Sequence, residues 1–304
     1  MGKITVIGSM NMDLVANVDH MPKTGETIIG KSFEEIPGGK GANQAVAMAR
    51  LGGQVNMIGK LGDDGFGKTL LKGLQKDEIS VEGVQIEENT PSGVALITVS
   101  KEAHNSIIVV PGANFKLKKE DIDRNIQIIK ESDFLVLQLE VPIDTVKHSL
   151  KRAKDLGVYT ILNPAPAQKL DKSIIENVDL LIPNETELEI LSGIEINNEE
   201  DVIKASKSLI EKGVESLIVT LGEKGSMYID EKGFKKFKAH KVKAVDTTAA
   251  GDSFIGGVCV SLSEGKTIEE AIGYGSKVGA LTVTKKGAQS SLPYKEEIEA
   301  LKEA

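Results

Sequence analysis

Short apolar runs alternating with amphipathic stretches predict an α/β fold: a central, mostly parallel sheet flanked by helices, with a second, small β-sheet added to it. The first observation is a set of near-continuous apolar runs at Ile4–Ile7, Phe134–Leu139, Tyr159–Leu162, Leu180–Ile182 and Leu217–Leu221. Such runs suit strands covered on both faces. The second is the helical periodicity between them, over Ile143–Leu156, Val202–Lys212 and Ile268–Val283, which supplies the crossovers that parallel strands need. The third is a pair of β-rich stretches with little helix, at residues 14–37 and 92–110. Within them Glu26–Gly30, Ser92–Ser100 and Asn105–Val110 read as strands. Two such insertions can pair into a sheet of their own or remain surface hairpins. No long linker, low-complexity tract or internal repeat divides the chain, so residues 1–304 are expected to form one domain carrying that small sheet.

Composition narrows the function classes. Of 304 residues, 40% are apolar and 27% charged, which allows a sizeable core without covalent staples. The single cysteine, Cys259, excludes an intrachain disulfide and a cysteine zinc site, and suits a reducing compartment. It falls in an apolar stretch and is expected to pack as a small hydrophobe. The opening MGKITVIGSMNMD turns polar after a short apolar run, unlike a secretory signal or a membrane span. A cytoplasmic location with no membrane partner is therefore expected. Net charge is −8 without a basic block, so no nucleic-acid partner is expected either. His20, His104, His148 and His240 show no metal-ligand spacing and read as surface or packing residues.

Three segments carry chemistry. In DTTAAGD, Asp246 to Asp252, the small residues Ala249, Ala250 and Gly251 lead into an apolar helix. A helix start offers unpaired N–H groups to an anion, and its dipole favours the ionised form of Asp252. Asp246 or Thr247 could equally be a simple helix cap. In IPGGKGANQ the glycines Gly38, Gly39 and Gly41 permit close backbone approach to a ligand, with Lys40 and Asn43 beside them and a helix from Ala42. In GSMNMD, Asn11 and Asp13 follow the first strand and present an amide and a carboxylate suited to vicinal sugar hydroxyls. Ligands in open α/β sheets bind beyond the carboxyl ends of the strands. By that rule Glu140, Asn184–Glu187 and Thr220–Gly225 point to the same edge.

One motif misleads. Gly62 to Thr69 fits G-x-x-x-x-G-K-[ST], a phosphate loop. Asp63 and Asp64 would put two negative charges where phosphates should lie, so a capped turn before a helix is expected instead. No G-x-G-x-x-G follows the first strand, which weighs against a dinucleotide-binding dehydrogenase.

These segments together resemble the ribokinase-type carbohydrate kinases, from GSMNMD near the start to KKGAQSSLP near the end, with GGKGANQA and DTTAAGD the most specific. The resemblance implies the ribokinase-like fold of Rossmann-like layers with a β-sheet lid. It implies ATP-dependent phosphorylation of the terminal 5-hydroxyl of D-ribose, with 2-deoxyribose, another sugar or a nucleoside as alternatives. A non-catalytic sugar-binding protein on the same fold is a further alternative. Asp252 then matches the base, and Ala249, Ala250 and Gly251 the anion hole. Asn11, Met12, Asp13, Gly39, Lys40, Gly41, Ala42, Asn43 and Glu140 match the sugar side. Asn184, Thr220, Leu221, Gly222, Glu223, Lys224, Gly225 and Ser276 match the nucleotide side, although Ser276 departs from the His or Asn common there. Glu187 matches an acid associated with Mg²⁺. Asp246, Thr248, Thr282, Lys285, Gly287 and Ser291 match the surroundings of an activating monovalent cation, usually K⁺. The β insertions match a lid that closes over the sugar and pairs two subunits into a homodimer.

Overall fold

The structure, a computed structural model, describes residues 2–102 and 104–300. Residue 103 of the second insertion and the extreme ends of the expected domain lie outside the described residues. Thirteen strands are described in chain order: β1 Lys3–Ile7, β2 Asn11–Val18, β3 Ser32–Gly38, β4 Gln54–Gly62, β5 Ser80–Glu87, β6 Gly93–Ser100, β7 Asn105–Val110, β8 Phe134–Leu137, β9 Tyr159–Leu162, β10 Leu180–Leu181, β11 Ser216–Thr220, β12 Ser226–Asp230 and β13 Gly233–Phe237. Nine of them form one sheet in the order β13-β12-β11-β10-β9-β8-β1-β4-β5, parallel except for the antiparallel edge strands β12 and β13. The other four form a separate sheet, β3-β2-β6-β7.

Alternation along the strands sorts the large sheet's side chains into two cores, because successive residues point to opposite faces. Val136, Ile161, Leu180 and Ile218 belong to one cluster, while their neighbours Leu137, Leu162, Leu181 and Leu217 belong to the other. The first face is covered by α1 Lys40–Arg50, α2 Gly65–Lys76, α9 Ala250–Ser263, α10 Ile268–Thr282 and α11 Lys295–Glu299. The second is covered by α3 Lys119–Arg124, α4 Ile126–Lys130, α5 Ile143–Asp155, α6 Lys172–Ile175, α7 Glu185–Ser192 and α8 Glu199–Ile210. Both faces being buried explains why the central strands read as unbroken apolar runs. Helix α9 is apolar around nearly its whole circumference because it lies between α1 and α10. A Cβ on its Gly257 would stand 2.8 Å from the Gly275 Cα of α10, so this contact is made backbone to backbone.

One strand lies elsewhere than expected. Glu26–Gly30 is irregular, and the strand that pairs with β2 is Ser32–Gly38. A strand needs a partner of matching register, and Asn11 to Asn17 pair with Gly38 back to Ser32, leaving Ile29 92% exposed.

The segment with the phosphate-loop spelling is closed by its own acid. Asp64 caps α2, its Oδ1 accepting from Gly67 N at 2.7 Å and from Ser92 Oγ at 2.7 Å, while Oδ2 accepts from Ser92 N at 2.8 Å. The helix start is thus filled by a carboxylate that anchors the entrance of β6, and Lys68 is exposed. Asp64→Ala is expected to cost about 1–2 kcal/mol, the upper range for an N-cap, and to lower Tm by roughly 2–4 °C. Lys68→Ala should leave Tm and ATP KM unchanged, as surface substitutions stay within about ±0.5 kcal/mol. A tenfold loss of ATP affinity in Lys68→Ala would restore the phosphate-loop reading.

Candidate active site

Two helix starts meet beyond the carboxyl ends of the strands, and they are finished differently. Helix α1 begins after Gly39, whose φ of 89° and approach to Asn11 N, 2.7 Å from a built Cβ, exclude a side chain. Its first N–H groups are taken up by protein oxygens. Lys40 N donates to Glu140 Oε2 at 3.1 Å, Gly41 N to Ser9 Oγ at 3.4 Å and Ala42 N to Ser9 O at 2.9 Å. Ser9 Oγ in turn donates to Glu140 Oε2 at 2.5 Å. Ser9 and Glu140, from the exits of β1 and β8, therefore cap α1 across the sheet.

Helix α9 is left open. Its N-cap, Ala249, sits in the left-handed region at φ 58° without a capping side chain, and Ala250 N donates to Thr247 O at 3.2 Å. Neither Asp246 nor Thr247 caps the helix. Among the described residues, no protein acceptor meets the N–H groups of Gly251 and Asp252. A left-handed non-glycine residue costs on the order of 1–3 kcal/mol and tends to mark functional sites. Free N–H groups at the positive end of a helix form an anion site. They border a cavity of about 220 Å³ lined by Lys40, Asn163, Ile182, Asn184, Glu187, Thr220, Thr247, Ala249, Ala250, Gly251, Asp252 and Ile255.

Asp252 is buried in the first turn of α9. Its Oδ2 accepts from Asn43 Nδ2 at 3.1 Å and its Oδ1 from Gln44 Nε2 at 3.0 Å. Asn43 Oδ1 is buried with no partner among the described residues, an acceptor that a ligand hydroxyl would satisfy. Asn11 is buried at the start of β2, and its Oδ1 accepts from Asn114 Nδ2 at 2.7 Å, which turns its own Nδ2 to other acceptors. The side chains of Met12 and Ala42 join the core, leaving only their main-chain groups for a ligand. Asp13 is half-buried, and burial, with the charges of Glu140 and Asp252, pushes its carboxyl up to about 7. The Asp252 charge, against the cost of burial and with help from Glu140 and Glu187, raises the Lys40 ammonium.

On the other side of the cavity Asn184 caps α7. Its Oδ1 accepts from Glu187 N at 2.8 Å, and its N and Nδ2 donate to the Glu187 carboxylate at 2.9 and 3.0 Å. Burial raises the Glu187 carboxyl, opposed by the Asn184 N–H and the Lys40 charge. Thr220 bridges to Asn184 at the end of β11, and Gly222–Lys224 form a turn closed by Leu221 N donating to Gly225 O at 2.8 Å. Leu221 is buried in the core, whereas Glu223 and Lys224 are exposed. These turn residues and the half-buried Ser276 of α10 lie outside the cavity lining.

The loop before α9 is pinned to the loop after α10. Val245 N and Asp246 N donate to Val283 O, and Asp246 Oδ2 accepts from Gly287 N at 2.9 Å. Asp246 Oδ1 accepts from Thr248 N and Oγ1 at 2.9 and 2.6 Å. The hydroxyls of Thr282 and Ser291 donate to Val278 O and Ala288 O, and Lys285 pairs through its side chain with Glu297. With that ammonium engaged, Lys285 has only its main-chain oxygen for a cation. The donor set is then oxygen throughout, which suits a hard cation. Mg²⁺ is commonly held by one or two carboxylates, water and substrate phosphates. Glu187, whose oxygens already accept from Asn184, fits such an outer role.

Sequence reading missed Ser9, Gln44, Asn114, Gln138 and Asn163, and read Thr247, which lines the cavity, as a possible cap. Asn163 and Gln138 lie at strand exits, where the rule used for Glu140 could have found them; Gln44 lies within the glycine-rich segment itself.

A parallel α/β sheet with an open helix start and a buried carboxylate beside it is the framework of a phosphotransferase. The chain belongs to the pfkB family of carbohydrate kinases, whose description matches residues 1–295. It is 42% identical to the ribokinase of Haemophilus influenzae over 97% of this chain and 96% of that one. It is 42% identical to the deoxyribokinase of Salmonella typhi over 95% of each chain. The structure of Arabidopsis thaliana ribokinase complexed with ribose and ATP superposes with a TM-score of 0.93 at 31% identity, covering 98% of this chain and 97% of that one.

The raised Asp13 carboxyl sets a pH dependence. An unfolded Asp is ionised above about 4, whereas the folded one holds its proton up to about 7. Over that window the folded state binds more protons, so Asp13 lowers the stability of the ligand-free protein as pH rises. Asp13→Asn is expected to raise stability at pH 7.5 by on the order of 1 kcal/mol or more, and to flatten the decline of Tm between about pH 4 and 7. The same variant should raise sugar KM at least about tenfold, as loss of a charged hydrogen bond does. An unchanged Tm–pH profile would remove the buried charge at Asp13.

Proposed function

We propose that this enzyme transfers the γ-phosphoryl group of ATP to the 5-hydroxyl of D-ribose, giving ribose 5-phosphate and ADP. The observation that carries the reading is the open start of α9, with free Gly251 and Asp252 N–H groups beside the Asp252 carboxylate. Asp252 accepts the hydroxyl proton as the sugar oxygen bonds to the γ-phosphorus and the bond to the ADP oxygen breaks. The Ala249–Gly251 turn and the helix dipole offset the charge on the transferred group, which is where phosphoryl transfer needs help. Asn11, Asp13, Gly39, Lys40, Asn43 and Glu140 hold the sugar, and the orphan Asn43 Oδ1 accepts a hydrogen bond from one of its hydroxyls. Asn184 and Thr220–Gly225 hold the nucleotide. Mg²⁺, with Glu187 as its outer partner, neutralises phosphate charge when bound. The oxygens around Asp246, Thr248, Thr282, Lys285, Gly287 and Ser291 would hold K⁺, which would supply fixed positive charge to the site.

The small sheet acts as the lid, closing over the sugar to exclude water, and pairs two copies. Edge strand β7 supports the pairing: Ile107, Ile108, Val109 and Val110 are 44–60% exposed, and Leu96 beside them is 44% exposed. Exposed apolar edges invite a partner strand. Light scattering should then read twice the mass of the chain. The buried lone thiol of Cys259 supports a cytoplasmic setting. Among the described residues no helix is long and apolar enough to cross a membrane. Equal identity to a deoxyribokinase favours 2-deoxyribose as the second candidate substrate.

ADP release measured with ribose, 2-deoxyribose, fructose and adenosine is expected to be fastest on ribose; a higher kcat/KM on another acceptor would reassign the substrate. Asp252→Asn is expected to lose turnover by about 10²–10⁴-fold while still binding ribose; near-normal turnover would remove Asp252 from the base role. Activity in K⁺ is expected to exceed that in Li⁺ or choline at equal ionic strength. Equal rates in the three salts would leave the cation site without support.

A further inference from the structure

Behind Asp252 lies a chain of buried amides that the proposed reaction does not use. Gln44, in the second turn of α1, and Gln138, at the exit of β8, are both fully buried. Asn163, at the exit of β9, is 6% exposed. Gln138 Nε2 donates to Gln44 Oε1 at 2.6 Å, and Gln44 Nε2 donates to Asp252 Oδ1 at 3.0 Å and to Asn163 Oδ1 at 3.2 Å. Asn163 Nδ2 donates to the main-chain oxygen of Ile182, at the exit of β10, at 3.0 Å.

The bonds run in one sense only. A primary amide has a donor end and an acceptor end. Asn163 is oriented by a carbonyl that can only accept, so its Oδ1 faces Gln44. Gln44 must therefore turn its nitrogen towards Asn163 and Asp252 and its oxygen towards Gln138. A reversed Gln44, itself fully buried, would set an amide oxygen against a carboxylate and a second amide oxygen. The sheet order places β8, β9 and β10 side by side, and this turns three strand exits into one oriented network. Gln138 Oε1 is left without a partner among the described residues, so Gln138 is held there by what its nitrogen does rather than by full satisfaction.

We propose that Gln44 is a positioning residue for the base, oriented by Gln138 and braced by Asn163. This rests on the reading of Asp252 as base. With Asn43 on Oδ2 and Gln44 on Oδ1, both carboxylate oxygens are pinned by neutral donors. The rotamer of Asp252 is thereby fixed where it lines the cavity, and its remaining lone pairs are left for an acceptor hydroxyl there. Misplacing a reacting group by about 1 Å can cost on the order of a hundredfold in rate.

The test is steady-state kinetics of Gln44→Met, Gln138→Met, the double variant and Asp252→Asn, each with its Tm. Gln44→Met retains the side-chain volume but cannot donate. It is expected to lose kcat by about ten- to a hundredfold, with ribose and ATP KM within about threefold of the parent. Gln138→Met is expected to lose less, and the double variant no more than Gln44→Met alone, because Gln138 acts through Gln44. A role in folding alone would lower Tm and the active fraction while leaving kcat per active site unchanged, and that result overturns the proposal. So do additive losses in the double variant, or a rise in ribose KM as large as the fall in kcat. If Gln44→Met does not fold, Gln138→Met decides, since it leaves Gln44 and Asp252 in place; normal kcat there overturns the relay. Asp252→Asn separates the two readings. Its inactivity beside a fully active Gln44→Met sinks the relay alone, whereas an active Asp252→Asn sinks the base and the relay together.

Discussion

The site depends on a helix start that the protein refuses to cap. Helix α9 is held by burial on nearly every side, between α1 and α10, so its position does not rely on its first turn. That frees the turn to keep Ala249 left-handed and the Gly251 and Asp252 N–H groups unpartnered. Helix α1, a few ångströms away through the Asn43–Asp252 bond, is treated in the opposite manner, with Ser9 and Glu140 spending their oxygens on its N–H groups. Of the helix starts facing this cleft, α1 and α7 are capped, and among the described residues α9 alone remains available to an anion. Packing elsewhere sets that asymmetry, and packing is what stabilises an open helix end.

Charge is concentrated at the same place. Asp252 and Glu187 line the cavity with Lys40, Asp13 and Glu140 stand close enough for their charges to be felt there, and two of the four acids, Asp13 and Glu187, are raised by burial. Such crowding costs stability in the empty enzyme and suits a site whose partners arrive with the substrate. A polyhydroxylated sugar brings donors for the acids. A nucleotide triphosphate with its cation brings acceptors for the helix start.

The small sheet is coupled to the body through hydrogen bonds at the ends of its strands. Asn114, just after β7, donates to Met10 O and Asn11 Oδ1 and accepts from Met10 N. It thereby joins the last strand of the small sheet to the first residues of β2. Asp64 and Ser92 do the same for β6. The segment that imitates a phosphate loop is thus part of the frame that joins the small sheet to the body.

The amino-acid sequence by itself determined the α/β class, because strands buried on both faces leave unbroken apolar runs and the crossovers between them carry a helical period. It also determined where Asp252 would stand, because carboxylate, small residues and helix start are neighbours along the chain in DTTAAGD. Local order was enough there. The tertiary structure alone decided the strand that pairs with β2, since Glu26–Gly30 and Ser32–Gly38 differ in available partners rather than in propensity. It alone revealed that Ser9 and Glu140 cap α1, and that Gln44, Gln138 and Asn163 stand behind the carboxylate. The Gln44 bonds to Asp252 and Asn163 span 208 and 119 residues. Which strand exits become neighbours follows from the sheet order, and sheet order is settled by the packing of whole crossovers, which no local pattern contains.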